Sequence, residues 1–253
     1  MKTLQLGDRE VPRIGLGTNR LQHTPENMAF LQDAVAAGLG HIDTAHLYAG
    51  GESEETIGAA GAADEAVVAT KGGFNAGEGR PGVLRAQIEE SLRRLRTETI
   101  DLYYLHRVHP DTPLEDSLRV IAEYREAGRI RHVGVSEVAI AQIERARETV
   151  PITAVQNRYN LSDRQWEDEV DYCAAEGIVF VPFFPLRGES GAAREIAERH
   201  GATTEQITLA WLLRRSPTML PIPGTLSLEH LKENLAALEI ELDDAEFEKL
   251  SGG

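Results

Sequence analysis

Eight times along this chain a short apolar run, often rich in β-branched residues, is followed by a longer amphipathic stretch. A chain patterned this way buries its apolar faces most readily as parallel strands covered by helices. The runs fall at residues 14–17, 39–43, 66–70, 100–105, 132–135, 152–156, 178–182 and 219–222. Helical patterns follow at 26–37, 53–60, 83–95, 114–127, 140–148, 164–175, 205–213 and 228–238. Gly38, Gly128 and Gly177 stand where helices should end just before strands begin. Residues 1–12 suit a hairpin turning at Gly7-Asp8 and capping the bottom of the fold. Eight strands and eight helices imply closure. The predicted architecture is an α/β (β/α)8 TIM barrel, a single domain over residues 1–253, matching the ~250 residues such barrels use. An open doubly wound sheet would place a Gly-x-Gly-x-x-Gly turn after its first strand, but Gly15-Leu16-Gly17-Thr18-Asn19-Arg20 lacks the third glycine.

Charge narrows the partners. Aspartate and glutamate outnumber lysine and arginine 41 to 26, a formal charge of −15, which repels nucleic acid and anionic lipid. A dinucleotide remains compatible, because helix N-termini attract phosphate whatever the net charge. The single cysteine, Cys173, has no partner for an internal disulfide or thiolate cluster, so a reducing compartment is expected. The first residues lack the apolar core of a signal peptide. The apolar stretch at 178–186 is too short to span a bilayer, and a cytoplasmic location is expected. The expected partner is a small molecule, and the sequence leaves the oligomeric state open.

In a parallel barrel, working residues stand at the C-terminal strand ends. Three apolar runs end in polar side chains: Asp43, Lys71 and His106, with Tyr48 in the loop after Asp43. Individually, each is most often a loop cap, a surface ion pair or a packed neighbour. Together they suit carbonyl reduction, in which hydride adds to carbon and the growing oxyanion takes a proton. Tyr48 would give that proton, Lys71 would lower the phenol pKa from its unperturbed value of about 10, Asp43 would hold Lys71, and His106 would donate to the substrate oxygen.

With those residues placed, the chain resembles the aldo-keto reductase superfamily from Ile14-Gly-Leu-Gly-Thr18 to Glu233-Asn234. Gly40-His-Ile-Asp-Thr-Ala-His-Leu-Tyr48, Gly51-Glu-Ser53 and Ile57-Gly58 are similar to the family's Asp/Tyr signature, and the resemblance implies a catalytic tetrad of Asp43, Tyr48, Lys71 and His106. It further implies cofactor contacts at Gly17, Thr18, Asp43, Ser136, Gln156-Asn157, Phe183 and Leu186, then at Gly224, Thr225, His230, Glu233 and Asn234 near the adenosine phosphate. Phe183 replaces a frequent tyrosine and still offers a stacking face; Phe184 is expected either at this site or as a core aromatic. Glu137 stands where asparagine is usual, and no role is transferred to it. Gly224 and His230 stand where many members carry phosphate-gripping cations; Gly224, Thr225 and a helix N-terminus still offer donors to a phosphate and His230 can add charge, so NADPH is the expected cofactor and NADH the alternative. The short segment 187–192 and the absence of a long tail after residue 253 imply an open pocket and broad specificity.

Two other functions compete. One is a cofactor-binding regulatory barrel resembling channel-associated subunits. The other is a metal-dependent barrel hydrolase using His41, Asp43, His46, His106 and His109; the sequence reading instead packs His41 beneath the mouth and leaves His46 and His109 in solvated loops.

Overall fold

The computed structural model describes residues 2–188 and 191–252. Strands β1 (Thr3–Leu6) and β2 (Arg9–Pro12) form the expected antiparallel hairpin, turning through Gly7 at φ 67°. Asp8 fastens it to the barrel: its carboxylate lies 2.7 Å from Nε2 of His132. Leu6 and Val11 pack with Val67, Leu102, Tyr104 and Leu220 in one apolar core.

Among the described residues seven parallel strands then run side by side in chain order: β3 (Leu16–Gly17), β4 (His41–Asp43), β5 (Val67–Gly72), β6 (Ile100–Leu105), β7 (Ile130–Ser136), β8 (Ile152–Gln156) and β9 (Val179–Phe180). The eighth run does not form a full ladder. Instead, single parallel bridges join Phe180 to Met219 and Gly17 to Gly224. Gly15 and Gly17 N–H donate to the carbonyls of Pro221 and Pro223 at 2.9 and 3.2 Å, and Leu220 N–H donates to Phe180 O at 2.9 Å. Each proline supplies a carbonyl but has no N–H to return, so on its β3 side this last stave closes the (β/α)8 barrel with bonds running one way only.

Among the described residues ten helices surround the strands: α1 (Pro25–Ala36), α2 (Glu52–Ala60), α3 (Pro81–Leu95), α4 (Leu114–Glu126), α5 (Ile140–Thr149), α6 (Glu167–Glu176), α7 (Gly191–His200), α8 (Thr204–Arg215), α9 (Leu228–Ala236) and α10 (Asp244–Ser251). Gly38, Gly128 and Gly177 take left-handed backbone after α1, α4 and α6 as expected. Two helices, α7 and α10, exceed the sequence expectation. The first buries Ala193, Ile196 and Ala197, the second Glu246 and Leu250, and each stands as a second helix beside α8 or α9. A capping box between Asp243 and Glu246 starts α10. Glu189 and Ser190, inside the short segment expected at 187–192, lie outside the described residues. Among the described residues no helix is long and apolar enough to cross a membrane.

The inward and outward faces of the strands build two cores. Strand residues such as Val68, Tyr103 and Val133 pack outward against Leu84, Leu92, Leu118 and Ile121 of the helices. Helices α2 and α3 approach so closely that a Cβ at Gly58 would lie 2.3 Å from the carbonyl oxygen of Arg94. Backbone on both sides cannot yield cheaply. Gly58→Ala is therefore expected to destabilise the fold by about 2–3 kcal/mol, lowering the melting temperature by roughly 5–10 °C in a thermal scan.

Candidate active site

Strand alternation sorts the residues at the end of β5. Thr70 points outward and donates to Glu54 Oε1 of α2 at 2.6 Å, so its neighbour Lys71 points into the barrel. Lys71 is fully buried, and its ammonium donates to Asp43 Oδ1 and to the Thr44 carbonyl, each at 2.6 Å. The second Asp43 oxygen accepts from Gln156 Nε2 of β8 at 2.7 Å. This buried carboxylate is thereby held from two sides of the barrel.

Tyr48 enters from the loop after β4. Its ring centroid lies 5.0 Å from the Lys71 nitrogen and 6.1 Å from the His106 ring, edge to face. The chain then turns sharply through left-handed Ala49, Gly50 and Gly51 into α2. Beneath it, Arg94 donates to the His46 carbonyl at 3.0 Å and pairs with the buried Glu54 at 3.3 Å. A side chain at Gly51 would strike that guanidinium at 2.3 Å, which gives a physical reason for glycine in the Gly51-Glu-Ser53 motif. Ser53 supplies the other brace: its hydroxyl bonds Thr18 and Thr44 hydroxyls at 2.8 and 2.7 Å, while Thr18 also donates to the Asp43 carbonyl at 2.8 Å.

These residues open onto one cavity of about 670 Å³. Gly17, Thr18, Asp43, Tyr48, His106, Ser136, Gln156, Phe183, Leu186 and Gly224 line it; Lys71 lies buried behind Asp43. Thr225, His230, Glu233 and Asn234 are not among the lining residues: Thr225 stands in the loop before α9, His230 in its first turn, and Glu233 and Asn234 further along the helix. There Ser227 caps the helix, its hydroxyl accepting from His230 N–H at 3.3 Å, and the His230 side chain is exposed. Asn157 does not reach the cavity: its amide exchanges two bonds with the Val138 backbone and braces the loop after β7. Phe184 is no core residue. It stands 36% exposed on left-handed backbone, with the Arg187 guanidinium 4.3 Å from its ring centroid. Glu137 also takes left-handed backbone and accepts from Arg158 N–H at 2.7 Å.

The cavity includes residues that sequence reasoning missed, above all Phe74 and four arginines, Arg20, Arg107, Arg158 and Arg187. Arg107 had one available signal, its place directly after His106 at a strand end. Phe74 follows Gly72-Gly73, beyond the apolar run, and only the folded loop brings its ring to 4.8 Å from that of His106.

Burial dominates the proton equilibria. Desolvation, helped by the Lys71 and Arg107 charges, pushes the His106 imidazole down to about 2, so the ring is neutral at ordinary pH. Its Nδ1 is buried without a hydrogen-bond partner. For Tyr48 the expected lowering does not prevail: desolvation raises the phenol above its ordinary value, with Lys71 pulling in the opposite direction. Desolvation also lowers His41, which is buried below the mouth with Nδ1 3.1 Å from the Val67 carbonyl oxygen. His46 and His109 are half-buried rather than solvated; His46 Nδ1 lies 3.3 Å from Arg94, and His109 Nε2 lies 2.8 Å from the Phe74 carbonyl oxygen. Among the described residues no group of three or more His, Cys, Asp or Glu is placed to hold a metal.

Known proteins share this arrangement of strands and sequence. The Aldo/keto reductase family profile matches residues 13–192 and 189–252. Pyridoxine 4-dehydrogenase of Escherichia coli (strain K12) is 34% identical over 280 residues, spanning 99% of this chain and 97% of that protein. A thermostable aldo-keto reductase, solved with the inhibitor epalrestat, superposes with a TM-score of 0.91 at 35% identity, covering 100% of this chain and 99% of the other. An aldo/keto reductase from Klebsiella pneumoniae, solved with NADP and acetate, gives a TM-score of 0.89 at 31% identity over 99% of this chain and 94% of that one. Agreement of that extent, in sequence as well as in the course of the barrel, establishes kinship: the chain belongs to the aldo/keto reductase family.

Proposed function

We propose that this protein reduces aldehyde or ketone carbonyls to alcohols with NADPH as the hydride source and Tyr48 as the proton donor. One observation carries the reading: the buried Asp43–Lys71 pair lies directly behind a tyrosine and a neutral histidine that face the same cavity.

The cavity suits a nicotinamide cofactor. Its volume falls within the range of small-molecule sites, and Tyr48, His106, Ser136, Gln156, Phe183, Leu186 and Gly224 all line it. Ser136 and Gln156 would hold the carboxamide, Phe183 would stack on the ring, and Gly224, Thr225, His230, Glu233 and Asn234 would hold the adenosine end. NADP in the Klebsiella complex supports NADPH as the choice. The dehydrogenase name of the E. coli relative supports alcohol–carbonyl chemistry.

When bound, the reduced cofactor supplies hydride to the carbonyl carbon. His106, kept neutral by its surroundings, donates a hydrogen bond to the carbonyl oxygen and orients it. Tyr48 transfers its hydroxyl proton to that oxygen as negative charge grows there, completing the alcohol. Its raised pKa keeps the proton in place at rest, and the Lys71 ammonium stabilises the phenolate as it forms. Asp43 fixes Lys71 at the required place.

The first test follows loss of nicotinamide absorbance with activated aldehydes. Tyr48→Phe is expected to reduce kcat by roughly 10²–10⁴-fold while leaving the cofactor Kd within about twofold; retained turnover would exclude the proton donor. Comparison of NADPH with NADH in the same assay is expected to favour the phosphorylated form.

The pH profile provides a second test. Reduction requires protonated Tyr48, so kcat should fall only as pH rises through an alkaline value above about 10. Since His106 titrates near 2, no inflection should occur around its ordinary value of 6.5, and one found there would assign the proton transfer to His106 instead. The same shift bears on stability. Between pH 6.5 and about 2 the unfolded chain binds a proton at His106 that the folded chain refuses, so folding free energy should decline as pH falls through that window. His106→Asn should flatten the decline, as measured by denaturant titrations at several pH values.

A further inference from the structure

Of the four arginines that line the cavity, Arg20 and Arg187 are exposed, while Arg107 and Arg158 are half-buried. Arg94 meets Glu54 at 3.3 Å and Arg158 meets Asp163 at 3.7 Å. Arg107 differs. It is half-buried, lines the cavity beside His106, and has no carboxylate within 4.0 Å among the described residues, although acidic residues outnumber basic ones 41 to 26. Glu137, at the end of the adjacent strand, spends a carboxylate oxygen on Arg158 N–H.

The Arg107 fork is fixed in place. One terminal nitrogen, Nη1, donates to the His106 carbonyl at 2.7 Å and to Ser136 Oγ at 3.1 Å. The guanidinium carbon lies 5.3 Å from the Phe74 ring centroid and 5.9 Å from that of Phe183. Both hydrogens of Nη1 are thus used. The edge formed by Nε–H and Nη2 retains its donors, and that edge matches two carboxylate oxygens. Glu137 acts on this cation only from beyond 4.0 Å, burial still works against the charge, and an anionic ligand in direct contact would offset that cost.

We infer that the site selects carbonyl substrates that carry a carboxylate, with Arg107 as the residue that receives it. This rests on the carbonyl-reductase reading, which places the reacting carbonyl at Tyr48 and His106. A phosphate of the cofactor is the other source of negative charge. In that reading, however, the phosphates lie toward Gly224 and α9, while the nicotinamide end beside Arg107 carries no negative charge. Phe74 and Leu47 provide the apolar walls between the two polar anchors.

The test compares 3- and 4-carboxybenzaldehyde with their methyl esters in steady-state reduction by the native enzyme and by Arg107→Gln. Binding of isophthalate and terephthalate, against their monomethyl esters, to the NADP⁺-loaded proteins is measured by calorimetry, because both ligands of each pair keep one carboxylate for the Tyr48–His106 position. In the native enzyme at least one acid should exceed its ester about 10-fold in kcat/KM and in affinity, and Arg107→Gln should abolish that ratio whatever the absolute rate. Arg107→Lys should restore it only in part, because a point charge replaces a fork. Equal handling of acids and esters by the native enzyme would overturn the inference. So would an unchanged ratio in Arg107→Gln accompanied by a weaker cofactor Kd, which would assign the arginine to the cofactor. A ligand preference that depends on Arg107 without turnover of any aldehyde would uphold the anchor and refute the reductase reading.

Discussion

An ammonium group shut away from bulk water needs a fixed partner, and Lys71 makes that requirement the organising constraint of the barrel mouth. The partner carboxylate comes from β4, the carbonyl that takes a second ammonium hydrogen from the loop just after it, and the amide that steadies the carboxylate from β8. Three staves of the barrel must therefore be in register for one charge to be satisfied. Removing either ion would leave its partner buried and unpaired, at a cost of roughly 3–5 kcal/mol. The braces outside the pair serve the same end. Ser53 and Thr18 hold the loop around Asp43, and the Glu54–Arg94 pair supports the turn that carries Tyr48.

Around that pair the protein keeps two side chains neutral by denying them water. Burial raises the phenol of Tyr48 and depresses the imidazole of His106, so both stay uncharged across the ordinary pH range. A neutral donor beside a protonated acid is the combination that proposed carbonyl reduction calls for. The lysine charge matters less for the resting state than for the phenolate that the proposed step would create. Electrostatics at the mouth also run against the character of the molecule. A chain with a formal charge of −15 presents four arginines to its cavity, a distribution that draws anions to the opening while the rest of the surface repels them.

Much of this was legible in the residues. The alternation of apolar runs and amphipathic stretches located the strands, because each run is bounded by turn residues and covered by a helix whose period is visible. The polar residues Asp43, Lys71 and His106 stood out because they terminate such runs, where side chains face the mouth. Helices α7 and α10 escaped notice because each is an extra helix beside α8 or α9, outside the alternation of one helix per strand, and the final stave was read as an ordinary strand although its prolines return no bond to β3. Phe184 could be read as either a site or a core aromatic, and on left-handed backbone it lines the cavity.

By itself, the sequence determined the barrel, the order of its staves and the residue types at their ends, since those follow from short-range periodicity and from which side of a strand each residue occupies. Only the tertiary structure decided that Gln156 meets Asp43 from across the barrel, that burial outweighs Lys71 at Tyr48, and that Arg107 faces the cavity with no carboxylate within 4.0 Å among the described residues. Those outcomes depend on distances between groups far apart in the chain and on how much water reaches them. Both are set by the closure of the sheet, which no local pattern records.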